Sequence, residues 1–229
     1  MSLAFLTPDA VGERVLGRSP MERLARAGGA RMEQREGWNV AVAYASGATG
    51  RVAFADRSHL LKLELQAEPS ALAGIVAAAS GVDRGLEPGR AARSEGAWWC
   101  PVAPTRVLVL AEPEDAARIR AALAGACDDV PSTVTVADLT CGLAALTLAG
   151  PGARELLARF CAIDARPAVM PVGAFRPGSV ARTPGYVLRE NDERLLVLVG
   201  WALGHYLWTV VADAAENLGG GPVGVDALL

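Results

Sequence analysis

The sequence predicts an α+β fold made of two pseudo-repeated β-α-β-β-α units packed as one body. Three observations lead there: a strand pattern that occurs twice, a proline-led helix after each copy, and a composition suited to a well-buried core. The chain has 229 residues, of which 52% are hydrophobic and 21% charged. That places it with folded rather than disordered chains, and its length suits one large domain or two small ones. There are 22 Lys and Arg against 25 Asp and Glu, a net charge of −3. Such a balance gives no electrostatic reason to hold a polyanion, so nucleic acid is not an expected partner.

The repeat is read from Asp56 through Pro69 (DRSHLLKLELQAEP) laid without a gap on Asp138 through Pro151 (DLTCGLAALTLAGP). Each copy runs Asp, any residue, Ser or Thr, an apolar strand, then Pro at the first turn of a helix, where its missing N–H costs least. The expected helices begin at Ser70 and Gly152. Further anchors are Pro88-Gly-Arg-Ala-Ala-Arg-Ser94 against Pro177-Gly-Ser-Val-Ala-Arg-Thr183, and the strands Val107–Leu110 and Leu195–Leu198. A helix from Pro113 to Gly125 opens on Glu114 and Asp115, whose charges suit the positive end of the helix dipole.

Ahead of the repeats, Ser19-Pro20-Met21-Glu22 has the form of a capping box and predicts a helix from Pro20 to about Ala27, ended by Gly28-Gly29. Trp38–Tyr44 alternates like a strand and breaks at Ser46–Gly50. The division expected is therefore 1–52 as an N-terminal helix and strand segment packed on the core, 53–130 as the first repeat and 131–229 as the second.

The apolar run Leu195–Val211 falls short of the ~20 residues that span a bilayer as a helix, and predicts a strand to Val199 followed by a helix from about Ala202 to Asn217. No signal peptide is visible at the N-terminus. Cys100, Cys127, Cys141 and Cys161 form no metal-binding spacing, so reduced buried thiols in a cytoplasmic protein are expected and no metal is. Lys62 is the only lysine, hence the only side-chain amine for Schiff-base chemistry.

Among polar residues, Asp56, Ser58 and His59 are too close on one extended segment to converge as a catalytic triad. His205 is expected in a core or interface. Gly28-Gly29 and Gly219–Gly221 lack phosphate-binding spacing and predict caps or turns. Trp98-Trp99 admits two readings: a stacking surface for a flat ligand, or one ring in the core and one on the outer face of a strand. The richest cluster is Arg182, Tyr186 and Glu190. Arg182 could fork onto a carboxylate, Tyr186 stack on a ring, and Glu190 accept from ring N–H donors. The alternative is a polar hairpin with Asn191-Asp192 at its tip.

These residues also resemble a family. Val136–Leu157, Ile163-Asp164, Pro171–Gly173, Ala181–Thr183 and Tyr206–Trp208, with Ser19-Pro20, Gly37-Trp38, Ala55–His59 and Trp98–Pro101, look like the gamma subunit of heterotetrameric sarcosine oxidase. That subunit is similar to the folate-binding region of the glycine-cleavage T-protein, an aminomethyltransferase. The resemblance implies an aminomethyltransferase folate-binding-domain-like fold, flavoprotein oxidase subunits as partners, and tetrahydrofolate as the cofactor of active members. It places Arg182, Tyr186 and Glu190 where the T-protein lines its folate pocket, with Pro184 and a longer spacing interrupting the match. The T-protein's catalytic aspartate has no counterpart in Ser94–Cys100 beyond Glu95, and the chain stops at Leu229 before the C-terminal barrel. The expectation is an accessory subunit, not catalytic alone, of a folate-linked amine-oxidising system; the alternative is a free-standing tetrahydrofolate-binding one-carbon transfer protein.

Overall fold

In the computed structural model, which describes residues 15–45, 50–82, 87–128 and 130–228, two mainly antiparallel sheets stack face to face with helices on both outer sides. The expected break at Ser46–Thr49 lies outside the described residues, and so does the N-terminal stretch read for a signal peptide. The chain begins with β1 (Gly17–Arg18), α1 (Glu22–Ala27), β2 (Ala30–Arg35) and β3 (Trp38–Tyr44), a small sheet of order β1-β3-β2. Ser19 accepts the Met21 N–H at 3.0 Å. The expected capping box does not close, because the Glu22 carboxylate turns instead to Asn39 Nδ2 at 2.9 Å and Arg26 Nε at 2.8 Å.

The body follows as β4 (Ala53–Asp56), β5 (Leu61–Gln66), α2 (Pro69–Ser80), β6 (Ala92–Ser94), β7 (Ala97–Ala103), β8 (Arg106–Ala111), α3 (Ala116–Cys127) and β9 (Thr135–Asp138). Then come β10 (Leu143–Ala149), α4 (Ala153–Ala158), β11 (Phe175–Val180), β12 (Thr183–Asn191), β13 (Arg194–Gly200), α5 (Gly204–Glu216) and β14 (Gly221–Pro222). One sheet has the order β6-β7-β8-β5-β9, the other β11-β12-β13-β10-β4-β14. Against the expected β-α-β-β-α, the segment 53–130 carries two further strands, β4 and β6, and the segment 131–229 three, β9, β11 and β14. Pro177 sits inside β11, an edge strand, where a missing N–H is tolerated. Pro88, its expected counterpart, lies in the turn before β6.

Strand alternation sorts the core into layers. In β8, Val107 and Val109 face α2 and α3 while Leu108 and Leu110 face the opposite sheet. In β13, Leu195, Val197 and Val199 face α4 and α5 while Leu196 and Leu198 complete the inter-sheet layer. The run Leu195–Val211 is thus strand β13, a 3-10 turn (Trp201–Leu203) and α5, close to the expected split. Trp99 is buried on the helix side and Trp98 packs on the inter-sheet side, so neither ring lies on a solvent face. Both faces of the sheet are covered, which the alternation alone does not reveal.

β4 and β9 each cross to the other sheet: β4 pairs with β10, and β9 with β5. The two crossing loops are built alike. Asp56 Oδ1 accepts the Ser58 N–H at 2.9 Å, and Asp138 Oδ1 accepts the Thr140 N–H at 2.8 Å. These turns are the physical content of the Asp-x-Ser/Thr pattern. Each hydroxyl then reaches the opposite strand: Ser58 Oγ accepts from Ala145 N, and Thr140 Oγ1 from Lys62 N, both at 3.2 Å. The gapless alignment holds for the turns but slips by one in the strands. Leu61, Leu63 and Leu65 face their helices, whereas Ala144, Leu146 and Leu148 do so in β10, because the second loop has one extra residue. A single-residue slip would otherwise turn the apolar set to the wrong face.

Lys62 is fully buried. Its Nζ donates to the carbonyls of Ser58 (2.8 Å), Leu60 (2.9 Å) and Thr140 (3.2 Å), clamping the two loops together. Burial pushes its ammonium down to about 7, with Asp56 opposing. The lone amine is therefore a structural donor, out of reach of a carbonyl substrate. Cys100 and Cys161 are buried as expected, whereas Cys127 is half-buried and Cys141 exposed.

The Lys62 shift has a measurable sign. Above pH about 7 the folded protein releases this proton while the unfolded chain, with its lysine near 10.5, keeps it. The unfolded state then binds more protons, so stability rises with pH across that window, by at most about 1.4 kcal/mol per unit. Urea denaturation of wild type and Lys62→Met at pH 7, 8.5 and 10 is expected to show a steeper rise in the wild type than in the variant.

Candidate functional site

The apolar alternation of the inter-sheet layer ends in polar residues at one end of the sandwich. Two positions beyond Leu110 comes Glu112; two before Leu196 comes Arg194; two beyond Leu188 comes Glu190. Arg93 of β6 lies opposite Trp98 of β7 and sets its guanidinium 5.7 Å from the centre of that indole. Together with Arg57 from the first crossing loop, these residues line a cavity of about 150 Å³ floored by Leu60, Leu110 and Leu196. A second, larger cavity of about 400 Å³ shares Arg57, Arg93, Glu112 and Arg194 and adds His59, Arg35 and Asp226.

Two backbone irregularities shape the cleft. The pairing of β12 with β13 shifts between Arg189 and Asn191, so Glu190 is the extra residue of a bulge, and both Glu190 and Asn191 reach the cavity. Bulges re-aim side chains in this way beside functional sites. Gly96, at φ 73°, tightens the β6–β7 turn; a Cβ there would come within 2.4 Å of the Asp115 carboxylate. On the far side, Gly224 lets the C-terminal 3-10 turn (Val225–Leu228) lie against β3, since a Cβ would fall 1.9 Å from the Val42 carbonyl. Asp226 of that turn accepts from Arg35 Nη2 at 3.0 Å, which fixes one rim of the larger cavity.

The charges are unevenly satisfied. Arg57 is buried and donates to Glu112, while its Nε has no partner among the described residues. For Arg93, Arg194 and Glu190 no ion pair occurs among the described residues. Burial pushes the Glu190 carboxyl up; Glu112 adds to this, while Arg57, Arg194 and Arg93 oppose it. Burial, with Arg57, Lys62 and Arg35 nearby, holds His59 down at about 3, so its imidazole is neutral at physiological pH. The cleft thus offers the Arg194 guanidinium, a desolvated carboxyl, and an exposed Arg93 lying over the Trp98 indole.

The three residues expected at a site do not converge. Glu190 lines the cavity. Tyr186, four residues back on β12, stacks on Phe175 with ring centres 5.3 Å apart and planes at 12°, inside the inter-sheet layer. Arg182 is exposed in the β11–β12 turn, at the opposite end of β12. Eight strand positions at ~3.4 Å each separate it from Glu190. The acidic stretch does form the expected hairpin turn, with Asn191 Oδ1 accepting the Glu193 N–H at 2.9 Å. Glu95 sits outside the cleft, in the β6–β7 turn at φ 51°, facing Arg118. His205 is exposed, not core, with its Nε2 3.1 Å from Arg23 Nη2. The arginines of the cleft were missed; extending the alternation past each strand end would have found Arg194 and Glu112.

The helix-flanked double sheet matches aminomethyltransferase-like folds. The chain is similar to glycine cleavage system aminomethyltransferase T from Bartonella henselae, with a TM-score of 0.71 over 93% of this chain at 17% identity. It spans 60% of that protein, and at this identity the likeness is one of fold. The more specific likeness is to a chain of heterotetrameric sarcosine oxidase from Corynebacterium sp. U-96, solved in complex with pyrrole 2-carboxylate. Identity there is 25% and the TM-score 0.71, covering 90% of this chain and 98% of that one. The resemblance carried by the motifs, to a gamma-subunit-like relative of the T-protein, is therefore present in three dimensions. No protein-family model matches the sequence, and no curated protein does.

Because burial raises the Glu190 carboxyl, its contribution to stability is complete below the unfolded value near 4.5 and is lost as pH rises through the folded one. Glu190→Gln is expected to be more stable than wild type at pH 7, with the difference vanishing near pH 4. Chemical denaturation at the two pH values measures it.

Proposed function

We propose that this chain is a cytoplasmic, accessory, non-catalytic subunit of a folate-linked, sarcosine oxidase-like amine-oxidising system, and that it associates with flavoprotein oxidase subunits. The observation that carries the reading is the near end-to-end match, 98% of the relative's length, to a chain of a heterotetrameric oxidase. A second observation agrees with it. The stretch resembling the T-protein's catalytic turn holds Glu95, which points away from the cleft, and Trp98, whose ring has no titratable group for general acid–base work. No helix among the described residues is long and apolar enough to cross a membrane.

The organisation expected from the repeat belongs to this proposal. The equivalent strand orders and the reciprocal Ser58 and Thr140 hydrogen bonds support a duplication of 53–130 as 131–229, with 1–52 packed on it through Met21 and Ala25.

Tetrahydrofolate fits this cleft only in part. The cavity beside Glu190, at about 150 Å³, is below the ~300–1,000 Å³ of pockets for ligands of that size, and Arg182 and Tyr186 are not in its wall. A folate would have to extend into the larger neighbouring cavity, with Glu190 accepting from its ring N–H groups and Arg194 or Arg93 meeting a carboxylate.

Co-expression with the flavin-bearing subunits of a sarcosine oxidase-like enzyme is expected to bring this chain through size exclusion in their complex. Folate-dependent turnover of an aminomethyl donor by the purified chain alone would replace the accessory role with the one-carbon transfer alternative.

A further inference from the structure

We infer that the outer edge of β9 is a docking edge for a second copy of this chain, which adds its own β9 in antiparallel register about a twofold axis at Val136. The inference concerns the chain alone and does not rest on the accessory role.

The other sheet edges carry the features that discourage strand addition: short length, charge, proline or a covering segment. β1 and β14 have two residues each, and β14 contains Pro222. β2 carries Arg31, Glu33 and Arg35, and β6 is three residues long with Arg93 at its centre. β11 contains Pro177, and on its far side the Phe175 N–H donates to the Gly89 carbonyl at 3.1 Å. β9 has none of these. Its Thr135-Val-Ala-Asp138 follows Val134 with no proline, glycine or basic residue, and Thr135 and Val136 are exposed. Its one charge, Asp138, is already met by Arg120 Nη2 at 2.5 Å. Pairing with β5 fixes the backbone phase. The Leu139 N–H donates to the Lys62 carbonyl at 2.8 Å, so by alternation Thr135 and Ala137 also turn their backbone groups to β5, while Val134, Val136 and Asp138 turn theirs outward. The outward N–H and C=O of Val136 have no partner among the described residues.

That edge is complementary to itself. With Val136 opposite Val136 of the second copy, Val134 falls opposite Asp138 and Thr135 opposite Ala137, so each outward N–H and C=O meets a counterpart. The two Asp138 carboxylates then stand four strand positions apart, ~14 Å, beyond strong repulsion. Charge across the seam agrees. α3 runs antiparallel to β9, with Arg120 beside Asp138 and Asp128 at the end from which the chain returns to β9. The twofold therefore brings Arg120 of each copy towards Asp128 of the other, and Asp128 has no ion pair among the described residues. Ala117 and Ala124, a turn to either side of Arg120, are exposed and small, which leaves room for the second α3. An extended segment of another protein gains the backbone bonds of this edge but not the paired Arg120 and Asp128 contacts, which is why a second copy fits it best.

The test is the mass of the purified full chain by sedimentation equilibrium. A dimer is expected, with a dissociation constant on the order of 100 μM or below, as suits a small edge-to-edge contact. Val136→Lys puts a charge on the edge without touching the β5 pairing, and is expected to weaken the dimer at least tenfold. Asp128→Arg is expected to weaken it at least threefold. Val136→Cys places two Cα atoms about 5.5 Å apart across the axis, within disulfide reach. It is expected to cross-link on oxidation under conditions where the wild type, with its exposed Cys141, does not. Circular dichroism checks that each variant is folded. A wild type that stays monomeric at about 1 mM overturns the inference. So does a dimer that Val136→Lys leaves unchanged, or Val136→Cys cross-linking no more than the wild type. A monomeric wild type whose co-elution with oxidase subunits is lost on Val136→Lys also overturns it, and assigns the edge to an oxidase strand instead. Because the mass is read on the chain alone and the accessory role by co-elution, either result can fail without the other.

Discussion

The structure depends on the crossing of two strands. β4 leaves the neighbourhood of β5 to pair with β10, and β9 leaves that of β10 to pair with β5, so neither large sheet is complete without a strand that precedes the other sheet's first strand. The crossing loops meet at the Ser58, Thr140 and Lys62 cluster, where two Asx turns, two reciprocal hydroxyl bonds and one buried ammonium satisfy the backbone. Buried polar groups are tolerated only when satisfied, and here a single lysine meets three carbonyls that the crossing would otherwise leave short of donors. The loops therefore fix how the two sheets face each other, and through them the inter-sheet layer.

That layer in turn sets the cleft. Its floor is the last row of the apolar core and its walls are the residues just beyond each strand end, so cleft and core share one register. A bulge at Glu190 and a glycine turn at Gly96 adjust the details. Arg57 is buried and Glu190 and Arg194 are half-buried over apolar side chains, while Arg93 and Glu112 are exposed at the rim. Over the apolar floor an arginine or a carboxyl without a partner costs more, and gains more on meeting one, than on an open surface. A net charge of −3 spread over the whole chain is compatible with this local cluster of arginines.

Much of the fold was legible because it follows from local rules. The Asp-x-Ser/Thr turns, the proline-led helix α2, the strand and helix of Leu195–Val211 and the strand Trp38–Tyr44 each rest on patterns a few residues long. The extra strands β6 and β11 were not legible, since β6 has three residues and β11 contains a proline and a glycine. The one-residue slip between β5 and β10 was also hidden, because alanine and leucine fill either face of β10 equally well by composition. At the candidate site, Glu190 was found and its partners were not. Arg57, Arg93 and Arg194 are far apart in sequence, and arginine is the common basic residue throughout the chain.

The sequence by itself determined the turns, the strand alternation, the mildly acidic character and the family resemblance, since each is set by neighbouring residues or by their sum. Only the tertiary structure decided which residues share a site. Arg182, Tyr186 and Glu190 lie within nine positions of one another, yet β12 is extended and carries them to its two ends and its middle. Residues from five separate strands and a crossing loop come together instead, because sheets pack face to face and their strand ends meet across the core. Proximity along a strand separates side chains, and sheet stacking is what brings them back together.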